Sequence, residues 1–305
     1  MSSSQTPAFE VLTPLRNRVG ESPLWSVAEQ ALWWVDIEGR MLYRHDVAAN
    51  TTAQWPTAQR IGCIALHAEG GVLAAMETGL LHLLPGEQGQ LSARPVAVAH
   101  HARPDMRFND GRCDRAGRFW VSSMVLDMSL AAPFGALYRF DAQGLSAPRV
   151  SELIVGNGLA FSPRGDRLYL SDSHPTVQRI WHFDLHDDGS LSNRREFVDM
   201  NQHPGRPDGA AVDADGCYWI CGNDAGVLLR FTPEGRLDRT LALPISKPSM
   251  CAFGGAALDQ LFVTSITPAQ PAAGFDASLD GAVLMLRPGV RGLPEVACAA
   301  TRAHT

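Results

Sequence analysis

Short apolar segments alternate with tight polar turns along almost the whole chain. Six segments share one pattern, in which a small or apolar run is followed by a turn rich in Asp, Pro or Gly and then by a run with aromatic or bulky aliphatic residues. These segments are SPLWSVAEQALWWVD, GCIALHAEGGVLAAM, DGRCDRAGRFWVSSM, NGLAFSPRGDRLYLSD, DGAAVDADGCYWICG and SMCAFGGAALDQLFVTS. Turns such as DRAG, SPRGD and DADG supply the residues that hairpins need for reversed backbone angles. The pattern predicts β-hairpins, and helical periodicity is nearly absent.

A third strand follows several of these hairpins and sets the length of the repeat. GRMLYRHD, GALYRFDAQG, QRIWHFDLHDDG, GVLLRFTPEG and GAVLMLRPG have this position. The unit recurs roughly every 40 to 50 residues, a spacing typical of four-stranded propeller blades. We therefore predict an all-β fold, a six-bladed β-propeller of four-stranded antiparallel blades, with residues 1–305 forming a single domain. A β-sandwich or two small barrels would not explain a turn signature repeated at a fixed offset.

Composition narrows the classes of partner. The 305 residues are 45% hydrophobic, which allows a large core, and the net charge of −6 comes without any basic run. Nucleic acid and an anionic membrane are therefore not expected as partners. The start of the chain lacks a secretory signal pattern, and no apolar run approaches the ~20 residues that span a bilayer. We expect a cytoplasmic protein that acts on a small polar molecule; the sequence does not indicate the oligomeric state.

Polar residues stand at the start of the predicted inner strands, in comparable positions of different repeats. They are Glu21 in GESP, Arg107, Asn109 and Asp110 in RFNDG, Asn157 in GNGLAFS and Asp208 in RPDGAAVD. In a propeller the loops that lead into the inner strands open at one end of the central channel, so these side chains are expected to meet there. Carboxylate and amide oxygens suit a hard cation. Glu21, Asn157 and Asp208 as ligands would leave positions open for water and substrate.

Each of these residues also has a structural interpretation. Asn and Asp before Gly are common turn formers, and Glu21 could be a solvated loop carboxylate. Their shared register favours the axial site. His203 in NQHPGRPDG is either a ligand or base or a solvated loop histidine. The six cysteines are interpreted as buried free thiols, because histidines or a second close pair at zinc-ligand spacing do not follow Cys217 and Cys221. No G-x-S-x-G occurs, which argues against a serine nucleophile.

At these residues the chain resembles the regucalcin (senescence marker protein)/gluconolactonase/luciferin-regenerating family of six-bladed propellers. GESPLW, WWVDIEGR, RFNDGRCDRAGRFWVSSM, GNGLAFSPRGDRLYLSDS, RPDGAAVDADGCYW and KPSMCAFGG stand in the order and spacing of that family and cover most of the chain. The resemblance implies one divalent metal ion held by Glu21, Asn157 and Asp208. Ca²⁺, Zn²⁺, Mn²⁺, Mg²⁺ and Fe²⁺ all remain open as its identity.

The resemblance also implies residues that bind the substrate. Asn109 would reach the metal-bound water or the substrate, and Arg107 would lie beside the substrate. Asp127 in SSMVLDM stands where family members carry an acidic residue that binds sugar hydroxyls, often the longer Glu. Asn223 and Asp224 replace a tryptophan and glycines that are common in the family, which makes this rim more polar.

The reaction implied by the resemblance is hydrolysis of an aldonolactone, a sugar lactone, to the aldonic acid. The metal would polarise the carbonyl and activate a water, and Asp208 would serve as ligand and general base. Two alternatives stay open. One is an organophosphate or ester hydrolase of the same fold, and the other is a non-catalytic calcium-binding propeller.

Overall fold

The structure is a computed structural model and describes residues 7–299. The ends of the predicted 1–305 domain, residues 1–6 and 300–305, lie outside the described residues. The described chain begins with a short strand, β1 (Phe9–Val11), and continues through 24 further strands that group with it into six sheets. The strong alternation of apolar runs and turn residues explains why strands dominate.

The sheets follow one another along the chain as blades one to six. Blade one contains β2 (Gly20–Ser26), β3 (Ala31–Asp36), β4 (Met41–Asp46) and β5 (Thr51–Pro56). Blade two contains β6 (Ile61–Leu66), β7 (Val72–Met76), β8 (Gly79–Pro85) and β9 (Leu91–Val98). Blade three contains β10 (Met106–Cys113), β11 (Phe119–Val125), β12 (Gly135–Asp141), β13 (Gly144–Leu145) and β14 (Val150–Leu153).

The second half of the ring has the same construction. Blade four contains β15 (Gly156–Phe161), β16 (Arg167–Asp172), β17 (Arg179–Leu185) and β18 (Leu191–Asp199). Blade five contains β19 (Arg206–Val212), β20 (Tyr218–Asn223), β21 (Val227–Phe231) and β22 (Leu237–Ala242). Blade six contains β23 (Pro248–Gly254), β24 (Gln260–Ser265), β25 (Leu284–Leu286) and β1.

The ring is closed by strands from opposite ends of the chain. β1 pairs antiparallel with β25, so the N-terminal strand completes the last blade. The inner strands β2, β6, β10, β15, β19 and β23 each contact the next, and β23 contacts β2. This arrangement confirms the predicted six-bladed β-propeller. Blade three differs in detail, because β13 and β14 both pair with β12 and together take the place of one outer strand.

The hydrophobic core lies between the blades. Each of six buried clusters combines residues of two adjacent blades, and together they follow the whole ring. Trp25 of blade one, for example, stacks on Phe262 of blade six with ring centroids 5.6 Å apart. Burial of faces that a single four-stranded sheet cannot bury alone therefore stabilises the closed ring.

The hairpin turns that follow the inner strands contain Asp and Gly residues in the roles that the sequence predicts. These turns lie at the end of the blades opposite the starts of the inner strands. After β10, Asp114 accepts hydrogen bonds from the backbone N–H of Ala116 at 2.9 Å and of Arg118 at 3.0 Å, and Gly117 has φ +77°. After β19, Asp213 accepts in the same way from Asp215 and Cys217. Each aspartate also accepts from a buried tryptophan N–H at 2.8 Å, Trp120 and Trp219 respectively. These turns thus attach the hairpins to the core.

In the part of the chain that the structure describes, helical structure is confined to four short 3₁₀ turns, Glu87–Gly89, Met128–Leu130, Met200–Gln202 and Ala277–Leu279. Within residues 7–299, no helix combines the length and the apolar character that crossing a membrane requires.

Candidate active site

The inner strands all carry an irregularity at the same place. Pairing with the second strand shifts register between Glu21 and Leu24 in blade one, and at the corresponding positions of the other five inner strands. Such a β-bulge redirects the side chains beside it. Glu21, Asn109, Asn157 and Asp208 lie at or within these bulges. We expected these residues to precede the inner strands; the strands instead begin earlier and include them.

Aspartates at the ends of second strands hold the segments that lead into the site. Asp36, the last residue of β3, accepts hydrogen bonds from the backbone N–H of Arg18 at 2.8 Å and of Val19 at 2.9 Å. Asp172, the last residue of β16, accepts from Ile154 at 2.7 Å and Val155 at 3.1 Å. Because these donors lie just before β2 and β15, the aspartates orient the strand starts that carry Glu21 and Asn157.

Glu21, Asp110 and Asp208, carboxylates from blades one, three and five, influence one another electrostatically, and the two aspartates are buried. Burial raises the pKa of Glu21 well above its usual range, and the nearby negative charges of Asp208 and Asp110 raise it further. Burial likewise raises the pKa of Asp208 to about 7 and of Asp110 to about 6. Like charges in a desolvated site are unfavourable unless a cation or protons compensate them. The arrangement is therefore suited to a positively charged ligand.

A chain of side-chain hydrogen bonds connects blades three and four at the same end of the channel. Arg107 donates to Oδ1 of Asn109 at 2.7 Å. Asn109 Nδ2 donates to Oδ1 of Asn157 at 3.0 Å, and Asn157 Nδ2 donates to the hydroxyl of Ser173 at 2.9 Å. Asn157 is thus held at both ends of its amide, with its oxygen fixed in position. The predicted residues Arg107, Asn109 and Asn157 are brought together by this chain.

Asp208 has a partner that the sequence analysis did not assign to the site. Asn223, the last residue of β20, donates from Nδ2 to Oδ2 of Asp208 at 2.5 Å. Asn223 was noted only as a polar replacement at the rim. Asn223 stands at the end of the second strand of blade five and pairs with Arg206 at the start of β19. This position is the feature by which Asn223 could have been assigned to the site.

Two buried oxygen atoms without hydrogen-bond partners in the described part of the chain indicate whether the site could bind a cation. Oδ1 of Asp110 and Oδ1 of Asn223 have no hydrogen-bond partner among the described residues. Oδ2 of Asp110 accepts from the backbone N–H of Leu159 at 2.7 Å, so that carboxylate is anchored on one side only. Carboxylate and amide oxygens with unused lone pairs are the donor set of hard and borderline divalent cations. The residues present therefore fit such an ion.

Gly158 allows Asn157 to reach its position. Its φ is +64°, a left-handed conformation in which side chains are strained, and a Cβ there would lie 2.5 Å from the Tyr218 hydroxyl. That hydroxyl donates to the carbonyl of Gly158 at 2.8 Å. The bulge of blade four is thereby packed directly against blade five.

The remaining candidates lie at the rim or outside the site. Asp127 is exposed and caps the 3₁₀ turn Met128–Leu130 through a hydrogen bond from the N–H of Ser129 at 3.0 Å. It follows β11, whose end pairs with the start of β10, so it lies on the same side of blade three as Arg107. His203 packs edge-on against Phe231 with ring centroids 5.0 Å apart, and its burial lowers its pKa.

A separate group of possible metal ligands, His67, Glu69 and His82, lies in blade two. Nδ1 of His67 and both ring nitrogens of His82 already have partners. Nδ1 of His67 accepts from the N–H of Glu69 at 3.2 Å, and Nδ1 of His82 lies 3.3 Å from Nη2 of Arg94. The cation beside these groups is the Arg94 guanidinium, which also lies 3.4 Å from the Glu69 carboxylate.

The fold and this site define a class of six-bladed propeller with an acidic, amide-lined site at one mouth of the channel. The chain belongs to the family described as "SMP-30/Gluconolactonase/LRE-like region", which matches residues 19–267. The family predicted from the sequence motifs is thereby confirmed.

Individual relatives agree with this assignment. The chain is 36% identical over 282 residues to a 6-deoxy-6-sulfogluconolactonase of Pseudomonas putida, covering 91% of this chain and 94% of that protein. It is 32% identical over 259 residues to an L-arabinolactonase of Azospirillum brasilense, covering 84% and 83%. The solved structure of a luciferin-regenerating enzyme has a TM-score of 0.89 at 25% identity, covering 96% of this chain and all of that one. The lactonases among these relatives bear out the predicted enzyme class, a lactone-hydrolysing hydrolase.

Proposed function

We propose that the protein hydrolyses a sugar lactone, an aldonolactone, with a divalent metal ion held by Glu21, Asn157 and Asp208. The observation that supports the proposal is that Glu21 of blade one lies near enough to Asp110 and Asp208, of blades three and five, for their charges to raise its pKa, while Asn109 fixes the amide oxygen of Asn157 on blade four. Two relatives are named for activity on sugar lactones, and both match over more than four fifths of this chain. A bound divalent cation would supply polarisation of the lactone carbonyl and a lower pKa for an attacking water.

Asp208 is the proposed general base. Asn223 donates to Oδ2 and orients the carboxylate, whose remaining lone pairs would hold the cation and allow one oxygen to accept the proton of the attacking water. The same oxygen would return the proton to the ring oxygen when the ester bond breaks. Because an activated water attacks the ester carbonyl directly, this hydrolysis needs no covalent intermediate on a serine or cysteine.

Arg107, Asn109 and Asp127 are the proposed substrate-binding residues. The hydrogen bonds of Arg107 to Asn109 and to the carbonyl of Phe108 hold its guanidinium near the start of the inner strand of blade three. Asp127 stands exposed on the same side, where its second carboxylate oxygen can accept hydrogen bonds from sugar hydroxyls. Fixed donors and acceptors of this kind orient a polyhydroxylated ring and distinguish stereoisomers.

The first experiment is a proton-release assay on metal-stripped protein with a panel of pentonolactones and hexonolactones, adding Ca²⁺, Mg²⁺, Mn²⁺, Zn²⁺ or Fe²⁺ in turn. We expect one or more cations to accelerate one or two lactones above spontaneous hydrolysis. Folded protein that binds a cation yet accelerates no lactone would overturn the proposal. A phosphotriester and a simple aryl ester in the same panel test the ester-hydrolase alternative, and binding without any turnover would favour the calcium-binding alternative.

A further inference from the structure

Beside the proposed site, two cationic side chains from adjacent blades share one carboxylate. Asp224 accepts from Nε of Arg206 at 2.7 Å through Oδ2 and pairs with Nζ of Lys247 through Oδ1. Arg206 begins the inner strand of blade five, and Lys247 directly precedes the inner strand of blade six. We call Arg206, Asp224 and Lys247 the rim cluster. It carries two positive charges and one negative charge.

The rim cluster is held in place by the backbone around it. Asp224 has φ +71°, a left-handed conformation that is uncommon outside glycine and that directs its carboxylate between the two cations. The turn that carries it is tied to the segment before blade six, because the N–H of Gly226 donates to the carbonyl of Ser246 at 3.1 Å. The relative positions of Arg206 and Lys247 are therefore set by the fold.

The rim cluster lies close to the proposed catalytic carboxylate. Arg206 precedes Asp208 by two residues on β19 and pairs with Asn223, the residue that donates to the Asp208 carboxylate. Asp224 directly follows Asn223, which holds Asp208. A hexonolactone whose carbonyl faces Asp208 would extend its far carbon toward Arg206.

The exposure of the cations allows a ligand to reach them. The side chains of Arg206 and Lys247 are 22% and 27% exposed. One carboxylate cannot saturate a guanidinium and an ammonium, which together carry eight N–H donors. An oxyanion can accept from both cations at once, since the guanidinium fork and the ammonium match its separate oxygens.

We infer that the rim cluster is a subsite for an oxyanionic group, a sulfonate or a carboxylate, carried by the lactone at the carbon furthest from its carbonyl. This inference rests on the proposed lactonase function and names the substrate class, an anionic sugar lactone. Arg206 and Lys247 act there as specificity-determining residues, and Asp224 is the residue that positions them.

Another arginine supplies a matched control. Arg60 directly precedes the inner strand of blade two, as Lys247 does in blade six, and its side chain is 26% exposed. Arg60 pairs with two carboxylates, Glu38 and Glu77, both at 2.8 Å. It therefore has no excess positive charge to offer to an anionic substrate.

The test compares kcat/KM for two lactones on the metal-loaded enzyme. One is gluconolactone, and the other carries a sulfonate in place of its terminal hydroxyl. The unmodified enzyme is expected to prefer the sulfonated lactone. Lys247→Gln and Arg206→Gln are each expected to lower the ratio of sulfonated to neutral kcat/KM about tenfold, the effect of losing one charge-assisted hydrogen bond, mainly through KM. Arg60→Gln should leave this ratio unchanged.

Several outcomes overturn the inference. These are a preference for the neutral lactone in the unmodified enzyme, an unchanged ratio in both rim variants, or an equal loss in Arg60→Gln. Hydrolysis of neither lactone would instead refute the proposed function. The subsite would then be tested by calorimetric measurement of binding of the sulfonated aldonic acid. Lys247→Gln should weaken this binding about tenfold, and Arg60→Gln should leave it unchanged. Equal binding to the unmodified enzyme and to both variants would overturn the inference itself.

Discussion

Asn223 and Asp208 are joined across the first two strands of blade five by a hydrogen bond of 2.5 Å between Nδ2 and Oδ2. This contact orients the carboxylate on which the proposed chemistry depends. It also satisfies one of the two oxygens of a buried acidic group, which would otherwise lose its hydration without compensation.

Replacing Asn223 with Ala should reduce metal affinity about 10- to 100-fold, the usual effect of removing a residue that orients a metal ligand. Isothermal titration of metal-stripped protein would measure it. Turnover should recover partly at high metal concentration, because the ligands themselves remain. Asn201→Ala, at an exposed asparagine, is the control and should bind metal normally. Equal affinities in the two variants would show that Asn223 does not position Asp208.

Replacing Glu21 with Gln should abolish most of the turnover while leaving the metal-free protein at least as stable as the original. The reason is that the substitution removes a buried negative charge that Asp208 and Asp110 repel. We expect a fall in kcat/KM of more than about 100-fold, because the charge is part of the proposed metal site. The thermal shift on adding the activating cation should also disappear.

The exposed Glu38→Gln variant is the control for Glu21 and should keep both turnover and the thermal shift. A Glu21→Gln protein that retains full turnover would contradict the proposed ligand set. A variant whose metal-free form unfolds at much lower temperature would instead indicate that Glu21 has a structural role.

Replacing Asp213 with Ala should lower the free energy of unfolding by about 3 to 5 kcal/mol, the effect of removing one partner of a buried ion pair. Asp213 is fully buried and accepts from both Arg230 and Trp219 at 2.8 Å. Chemical denaturation would measure the loss. Asp215 also pairs with Arg230 but its side chain is 67% exposed, so Asp215→Ala should change stability by less than about 1 kcal/mol. Similar losses in both variants would show that burial does not distinguish them.

His101 should make the protein less stable in mild acid. Burial lowers the pKa of His101 by more than its contact with the Glu77 backbone raises it. The unfolded chain, with the ordinary histidine pKa, therefore binds a proton more readily than the folded protein does. Stability is complete above the unfolded pKa and falls as the pH drops below it.

The measurement is the free energy of unfolding between pH 7 and pH 5 for the unmodified protein and for His101→Phe, in which the ring can still pack on Phe108. The variant should show a smaller loss over this range. The exposed His186→Phe serves as the control, with a pH dependence like that of the original. Parallel curves for all three proteins would mean that His101 titrates alike in both states.

Much of the fold was predictable because its determinants are local. The Asp and Gly residues of DRAG and DADG form the turns that their chemistry indicates, and the six repeated units predicted the number of blades. The axial position of Glu21, Asn109, Asn157 and Asp208 was also predictable, because they share one register in different repeats. Asp127 remains a prediction as a sugar-binding residue.

The tertiary structure alone decided which side chains meet. Asn109 and Asn157 are 48 residues apart, and their contact depends on the packing of blades three and four. The same holds for Asp110 near Glu21 and for Lys247 beside Asp224. The sequence by itself determined the strands, their turns and the register of the polar positions, since these follow from short-range periodicity. The contacts between blades arise only when the ring closes, and the bulges then direct each side chain.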